Sequence, residues 1–187
     1  MPILGTVASQ FSSKPFGSFE SIATATVGAG GSASIIFSSI PATYTHLQIR
    51  GSSKTNRSGA GQENIYYSFN SDTGSNYTQH GLYGDGTSAA SYGTANLPGD
   101  GSIIAFTANN DANIFGAQII DILDYANTNK YKTVRSLSGF DINGGGYVLF
   151  SSTLWRNTNA ITSIKLIGTG TPWQQYSKFA LYGIKGA

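Results

Sequence analysis

The chain contains no cysteine, so disulfide staples, thiolate nucleophiles and cysteine-ligated metals are excluded together. Charge is scarce as well: Asp, Glu, Lys and Arg make up 11% of 187 residues, where about 25% is ordinary. Surface polarity must therefore come from Ser, Thr, Asn and Gln. The few Lys and Arg are scattered and the net charge is +2, so the basic stripe that nucleic acid requires is missing. No apolar run approaches the roughly 18 residues of a transmembrane helix, and neither membrane insertion nor a nucleic-acid partner is expected. Heptads and fixed-period repeats are absent too, which argues against a coiled-coil shaft or a solenoid. The first residues, MPILGTVASQFSSKPFGSFE, lack the basic and apolar regions of a secretory leader, so synthesis in a cytoplasm is expected.

What the chain does contain is a repeated alternation of β-formers and breakers. Runs rich in Val, Ile, Phe, Tyr and Thr fall near 19–27, 33–38, 45–53, 64–69, 102–108, 114–125, 131–140, 147–155, 160–167 and 177–185. GAGG at 28–31, IPATYTH at 40–46 and NGGG at 143–146 punctuate them. A chain of this length buries about 70% of its unfolded surface, enough for one core without staples. These features predict an all-β fold: a two-sheet antiparallel β-sandwich, jelly-roll-like, over residues 18–187. Residues 70–101 are so rich in glycine that they read as a long loop region, with at most a short strand near Tyr77 to Leu82. Residues 1–17 carry Ile3, Leu4, Val7, Phe11 and Phe16, too apolar for a purely solvated tail. They predict an extended N-terminal arm that docks on a neighbouring subunit, with a frayed end as the alternative.

The segment GAQIIDILDYANTNKYKTVR (116–135) tests for catalysis, because Asp121 and Asp124 lie three apart. On a helix they would share a face; on a strand they point to opposite sides. Its β-branched content and the turn-forming ANTNK favour a strand followed by a hairpin. With Ala126 to Lys130 closing the turn, Asp121 faces Arg135 and Asp124 faces Lys132, giving two structural ion pairs. No catalytic residue is assigned.

Other candidates are equally plain. His46 and His80 show no metal spacing, and SDTGSN (71–76) has calcium-like donors in Asp72 and Asn76 but lacks a third acid and a distal glutamate. An Asx-stabilised turn is the simpler reading there, as it is for Asp85 and Asp100. Metal ligands and cofactor-binding residues are therefore not assigned. Asn56 and Asn76 sit in glycosylation sequons that carry little weight without a leader. Among the aromatics near loops or edges (Tyr66, Tyr67, Tyr77, Tyr83, Tyr92, Trp155, Trp173 and Tyr176), alternation buries about half. Tyr77, Tyr83 and Tyr92 form a candidate glycan-contact loop.

The stretches FSSIPATYTHLQIRG (37–51), FNSDTGSNY (69–77), IIDILDYANTNKYKT (119–133), LWR (154–156) and FALYGIKG (179–186) together resemble small virion proteins of tailed bacteriophages of aquatic bacteria. The resemblance runs from about residue 19 to the end. It implies an all-β component of the virion surface, working as a homotrimer or another symmetric assembly, with no recognised catalytic motif. Two locations follow from it. One is a capsid decoration or cement protein bridging neighbouring capsid subunits. The other is a tail, baseplate or fibre-tip module on tail or fibre subunits that binds a host surface glycan. The absence of shaft repeats and the apolar arm favour the compact, decorating form. A polysaccharide-cleaving enzyme fits worst, since it commonly needs two carboxylates across a groove and the chain has only nine acids, mostly in turns or paired.

Overall fold

The computed structural model describes residues 18–107, 112–168 and 170–186, and among these it contains twelve strands and no helix. They are β1 (Phe19–Thr26), β2 (Ile35–Phe37), β3 (His46–Thr55), β4 (Gln62–Phe69), β5 (Tyr77–Gly84), β6 (Ala89–Leu97), β7 (Asp100–Thr107), β8 (Gly116–Ile122), β9 (Lys132–Ile142), β10 (Gly145–Trp155), β11 (Ile164–Gly168) and β12 (Lys178–Ile184). Eight form one antiparallel sheet in the order β1-β12-β3-β8-β9-β10-β5-β6. The smaller sheet runs β2-β11-β4 and is extended by β7. Strand β3 belongs to both: Ser53 still pairs with Gly116 of the large sheet, while Lys54 and Thr55 run parallel to Phe106 and Thr107 of β7.

Side-chain alternation explains why two sheets meet. Along β9, Lys132, Val134, Ser136 and Ser138 are buried while Thr133, Arg135 and Leu137 are exposed, the period of two expected of a sheet with one covered face. The large sheet contributes Leu47, Ile49, Ile120, Ile122, Val134 and Trp155 to the core. The small sheet answers with Ile35, Phe37, Ile65, Tyr67, Phe69, Ile164 and Leu166, so the architecture is sandwich-like. Aromatic rings join the two layers at one end, where Phe69 meets the edge of Trp155 at 5.4 Å between centroids. Tyr77 lies beside both rings, and its hydroxyl accepts the Phe69 amide at 2.9 Å.

Residues 70–101 depart from the sequence expectation. Most of this stretch is the β5–β6 hairpin, fully paired with the large sheet through β10. Two of its glycines, Gly81 and Gly93, are not breakers but seats for rings. A Cβ on Gly81 would lie 2.4 Å from the ring of its cross-strand partner Tyr92, and one on Gly93 would lie 2.7 Å from the ring of its partner His80. Glycine opposite an aromatic lets the ring lie flat over the strand, a pairing that propensity alone scores as loop.

Candidate functional site

The outer face of the large sheet carries the most unusual surface. Register places Leu82 opposite Phe150, Phe150 opposite Leu137, Leu137 opposite Ile119, and Ile119 opposite Arg50. Directly opposed side chains in an antiparallel pair lie about 5 Å apart, so these residues form one continuous row across five strands. They are 57%, 50%, 48% and 39% exposed from Leu82 to Ile119, and Val148 adds a further exposed side chain beside Phe150. A polar row lies next to it in the same register: His80, Ser152, Arg135, Asp121 and Gln48. Gln48 Nε2 donates to Asp121 Oδ1 at 2.7 Å, and Arg50 Nε donates to Gln48 Oε1 at 2.8 Å. The Arg50 guanidinium then covers Phe19 and Tyr182, 5.0 and 5.8 Å from their ring centres, and these two rings stack at 4.6 Å. In register the row passes from Arg50 to Ala180 of β12 and Thr24 of β1, and the two stacked rings lie beside it. A contiguous apolar stripe of this kind, rimmed by polar groups, is the surface signature of an interaction site.

A second feature is a cleft of about 460 Å³ between the tips of the β5–β6 and β9–β10 hairpins. Gly84–Thr87 form one wall, and Phe140, Asp141, Gly144–Gly146 and Tyr147 the other. Tyr147 stacks on Tyr83 at 5.4 Å and 13°, and Tyr83 also meets Tyr92 at 6.4 Å and 42°. Burial raises the Tyr147 hydroxyl above its ordinary pKa, with the nearby Tyr83 adding to the effect, so it stays a neutral donor. Asp85 Oδ1 accepts the amides of Ser88 and Thr87 at 2.8 and 2.9 Å, which holds its carboxyl down at about 2 and leaves a fixed negative charge at the rim.

The residues singled out from the sequence are distributed unevenly. The arm residues Ile3, Leu4, Val7, Phe11 and Phe16 lie outside the described residues. Tyr77 corrects the glycan-loop expectation: it is fully buried against Trp155 and has no surface to offer, whereas the rings of Tyr83 and Tyr92 are neighbours and Tyr83 stacks on the cleft residue Tyr147. Asp121 stands opposite Arg135 in register, yet its carboxylate is engaged by Gln48 and no ion pair to Arg135 forms within 4 Å. The Asp124–Lys132 pair is also replaced. The β8 ladder ends at Ile122 because Asp124 takes a left-handed φ of 48°, which swings its carboxylate to Lys130 and toward His46. Lys132 turns inward instead, fully buried, where its ammonium donates to the carbonyls of Asn127, Lys130 and Thr158 at 2.6, 3.0 and 3.0 Å. Burial pushes its pKa below the ordinary lysine value, with repulsion from Lys130 as a smaller cause.

The SDTGSN loop is a structural brace. Asp72 Oδ1 accepts the Gly74 amide at 2.8 Å, and Oδ2 accepts Trp155 Nε1 at 2.8 Å and Asn76 Nδ2 at 2.9 Å. Among the described residues no three His, Asp or Glu side chains gather into a metal-binding group, and no helix is long and apolar enough to cross a membrane. Sequence reasoning missed the outer row, although a signal existed: the 114–125 run is apolar at both parities, as a strand contacted on both faces would be. Tyr147 was missed because only the pairing of β10 with β5, where the next residue Val148 stands opposite Gly84, reveals its neighbours. No protein-family model matches the chain, and no curated protein matches it in sequence.

Proposed function

We propose that this protein is a non-enzymatic structural component of a bacteriophage virion surface, a capsid decoration or cement-type module that assembles on neighbouring subunits. The observation that carries this reading is the exposed row Leu82, Phe150, Leu137 and Ile119 on a rigid eight-stranded sheet. Such a face gains affinity by excluding water over area, and repeated copies multiply weak contacts into firm attachment. The finer architecture belongs to the same reading: a jelly-roll-like sandwich with an N-terminal arm, self-associated as a homotrimer. Its support is the crossover pattern, since the late strands β11 and β12 insert between early ones, as Greek-key connections do. The non-enzymatic part is supported by Asp121 and Asp124, which do not share a site. Quantitative mass spectrometry of purified particles tests the proposal. Hundreds of copies per particle are expected; a few dozen would move the protein to the tail, and absence from particles would overturn the reading.

The cleft lined by Tyr147 and Asp85 favours one alternative, a tail, baseplate or fibre-tip module holding a host surface glycan. Stacked rings beside a fixed carboxylate are the groups that sugar recognition uses. Under that reading, Tyr147→Ala particles adsorb to host cells several-fold more slowly while assembling normally.

A further inference from the structure

We propose that the pocket lined by Tyr176, where the β1–β2, β3–β4 and β11–β12 connections meet, binds a neutral sugar ring; this rests on neither reading given above. The pocket measures about 340 Å³, within the roughly 300–1,000 Å³ of small-ligand sites. Asn56, Gln174 and Gln175 line it together with Phe115, and no described lining residue is charged. Among the described residues, none of these three carboxamides has a hydrogen-bond partner. Each therefore offers a carbonyl acceptor beside two N–H donors, the complement of sugar hydroxyls, which both donate and accept.

Tyr176 supplies the apolar half of the site. It is 72% exposed, and its ring and hydroxyl have no partner among the described residues. Its φ of 73° lies in the left-handed region, which a bulky side chain rarely adopts and glycine takes freely. A ring held there without packing or polar partners contributes little to the fold, so the outlier points to a ligand instead. An aromatic face can stack on the C–H side of a pyranose while the hydroxyls meet amides. The backbone that carries these groups is fixed in advance. The Tyr176 amide donates to the Val27 carbonyl at 3.0 Å, Gln174 to Lys54 at 2.8 Å and Asn56 to Pro172 at 2.9 Å. Trp173 and Ser32 exchange both bonds, at 2.7 and 3.1 Å, an approach that Gly31 permits because a Cβ there would lie 2.9 Å from the Trp173 carbonyl. Groups held this way lose little freedom when a ligand arrives. With the Trp173, Gln174 and Tyr176 amides already committed, a peptide finds no ladder to extend. The absence of charge also separates this pocket from the Tyr147 cleft, whose walls carry Asp85 and Asp141.

The test is a titration of the ¹⁵N-labelled full chain with glucose, galactose, mannose and N-acetylglucosamine, read at the side-chain amide resonances of Asn56, Gln174 and Gln175. At least one of these sugars is expected to give saturable shifts, half-complete at about millimolar concentration. Tyr176→Gly removes the ring at a backbone angle that suits glycine, and it should weaken binding about tenfold. Gln175→Ala, which leaves that backbone untouched, should weaken it about fivefold. Tyr147→Ala should leave it unchanged. The absence of saturable shifts with all four sugars overturns the proposal, and so does wild-type affinity in both Tyr176→Gly and Gln175→Ala. Binding lost in Tyr147→Ala but kept in Tyr176→Gly also overturns it, by placing the sugar in the other cleft. None of these failures alters the count of copies per particle that tests the assembly role.

Discussion

The two faces of the large sheet are built from the same strands and nearly the same residue types, yet they meet opposite fates. Leu47, Ile120, Val134 and Trp155 point inward and lose essentially all contact with water. Ile119, Leu137, Phe150 and Leu82, drawn from the same or neighbouring strands, point outward and stay roughly half exposed. Apolar character alone therefore does not define the core; what lies opposite does. The inner face is met by the small sheet, and the outer face is a second apolar layer on which the described residues place nothing.

Substitutions sharpen this contrast, beginning where the inner face is most crowded. Trp155→Ala should cost about 3–5 kcal/mol in urea unfolding, since it empties a fully buried site and strips Asp72 of a donor. Lys132→Met should cost about 2–3 kcal/mol, because three carbonyls lose their shared ammonium. A stability as high as wild type would mean that the turn closes without that cation. Gly81→Ala should cost about 1–3 kcal/mol through collision with the Tyr92 ring, and Tyr92→Ser in the same chain should recover much of the loss. Leu137→Ser on the outer face should shift stability by less than about 0.5 kcal/mol, so a large loss there would show that the row is part of the fold and not a contact surface.

Acid provides a smaller probe of the same inner layer. Burial works against the Asp72 charge, but hydrogen bonds from Trp155, Asn76 and Gly74 outweigh it and hold its carboxyl below the ordinary value. Its contribution is thus complete above the unfolded carboxylate pKa of about 4 and is lost as the pH falls through the lower folded value. Asp72→Asn should flatten the pH dependence of unfolding in that acid window and leave it unchanged near neutrality.

Much of the fold could be read from residue order, because periodicity and turn chemistry act locally. The Asp121–Arg135 register followed from counting across the ANTNK turn, and the alternation of β9 was plain in Val134, Arg135, Ser136 and Leu137. Three things escaped for non-local reasons. Glycines 81 and 93 signal strand only once Tyr92 and His80 are known to lie across from them. Asp124 left the ladder because a left-handed residue ends the strand, something charge pairing does not foresee. Tyr77 looked like a loop aromatic, but its hydroxyl has a buried partner 8 positions away in the Phe69 amide. The neighbouring tyrosines were half legible: Tyr83 and Tyr92 stood in one stretch, while Tyr147 arrives from a strand some 60 residues later, a distance no local rule spans.

Strand β3 carries a mechanical consequence. Within three residues, Ser53 to Thr55, one continuous backbone passes from the large sheet into the small one. The two layers therefore cannot slide past each other as separate plates; a push on the broad face is delivered along a covalent strut into β7 and from there to β4 and β11. In this protein, load and position are set by the same ten-residue strand.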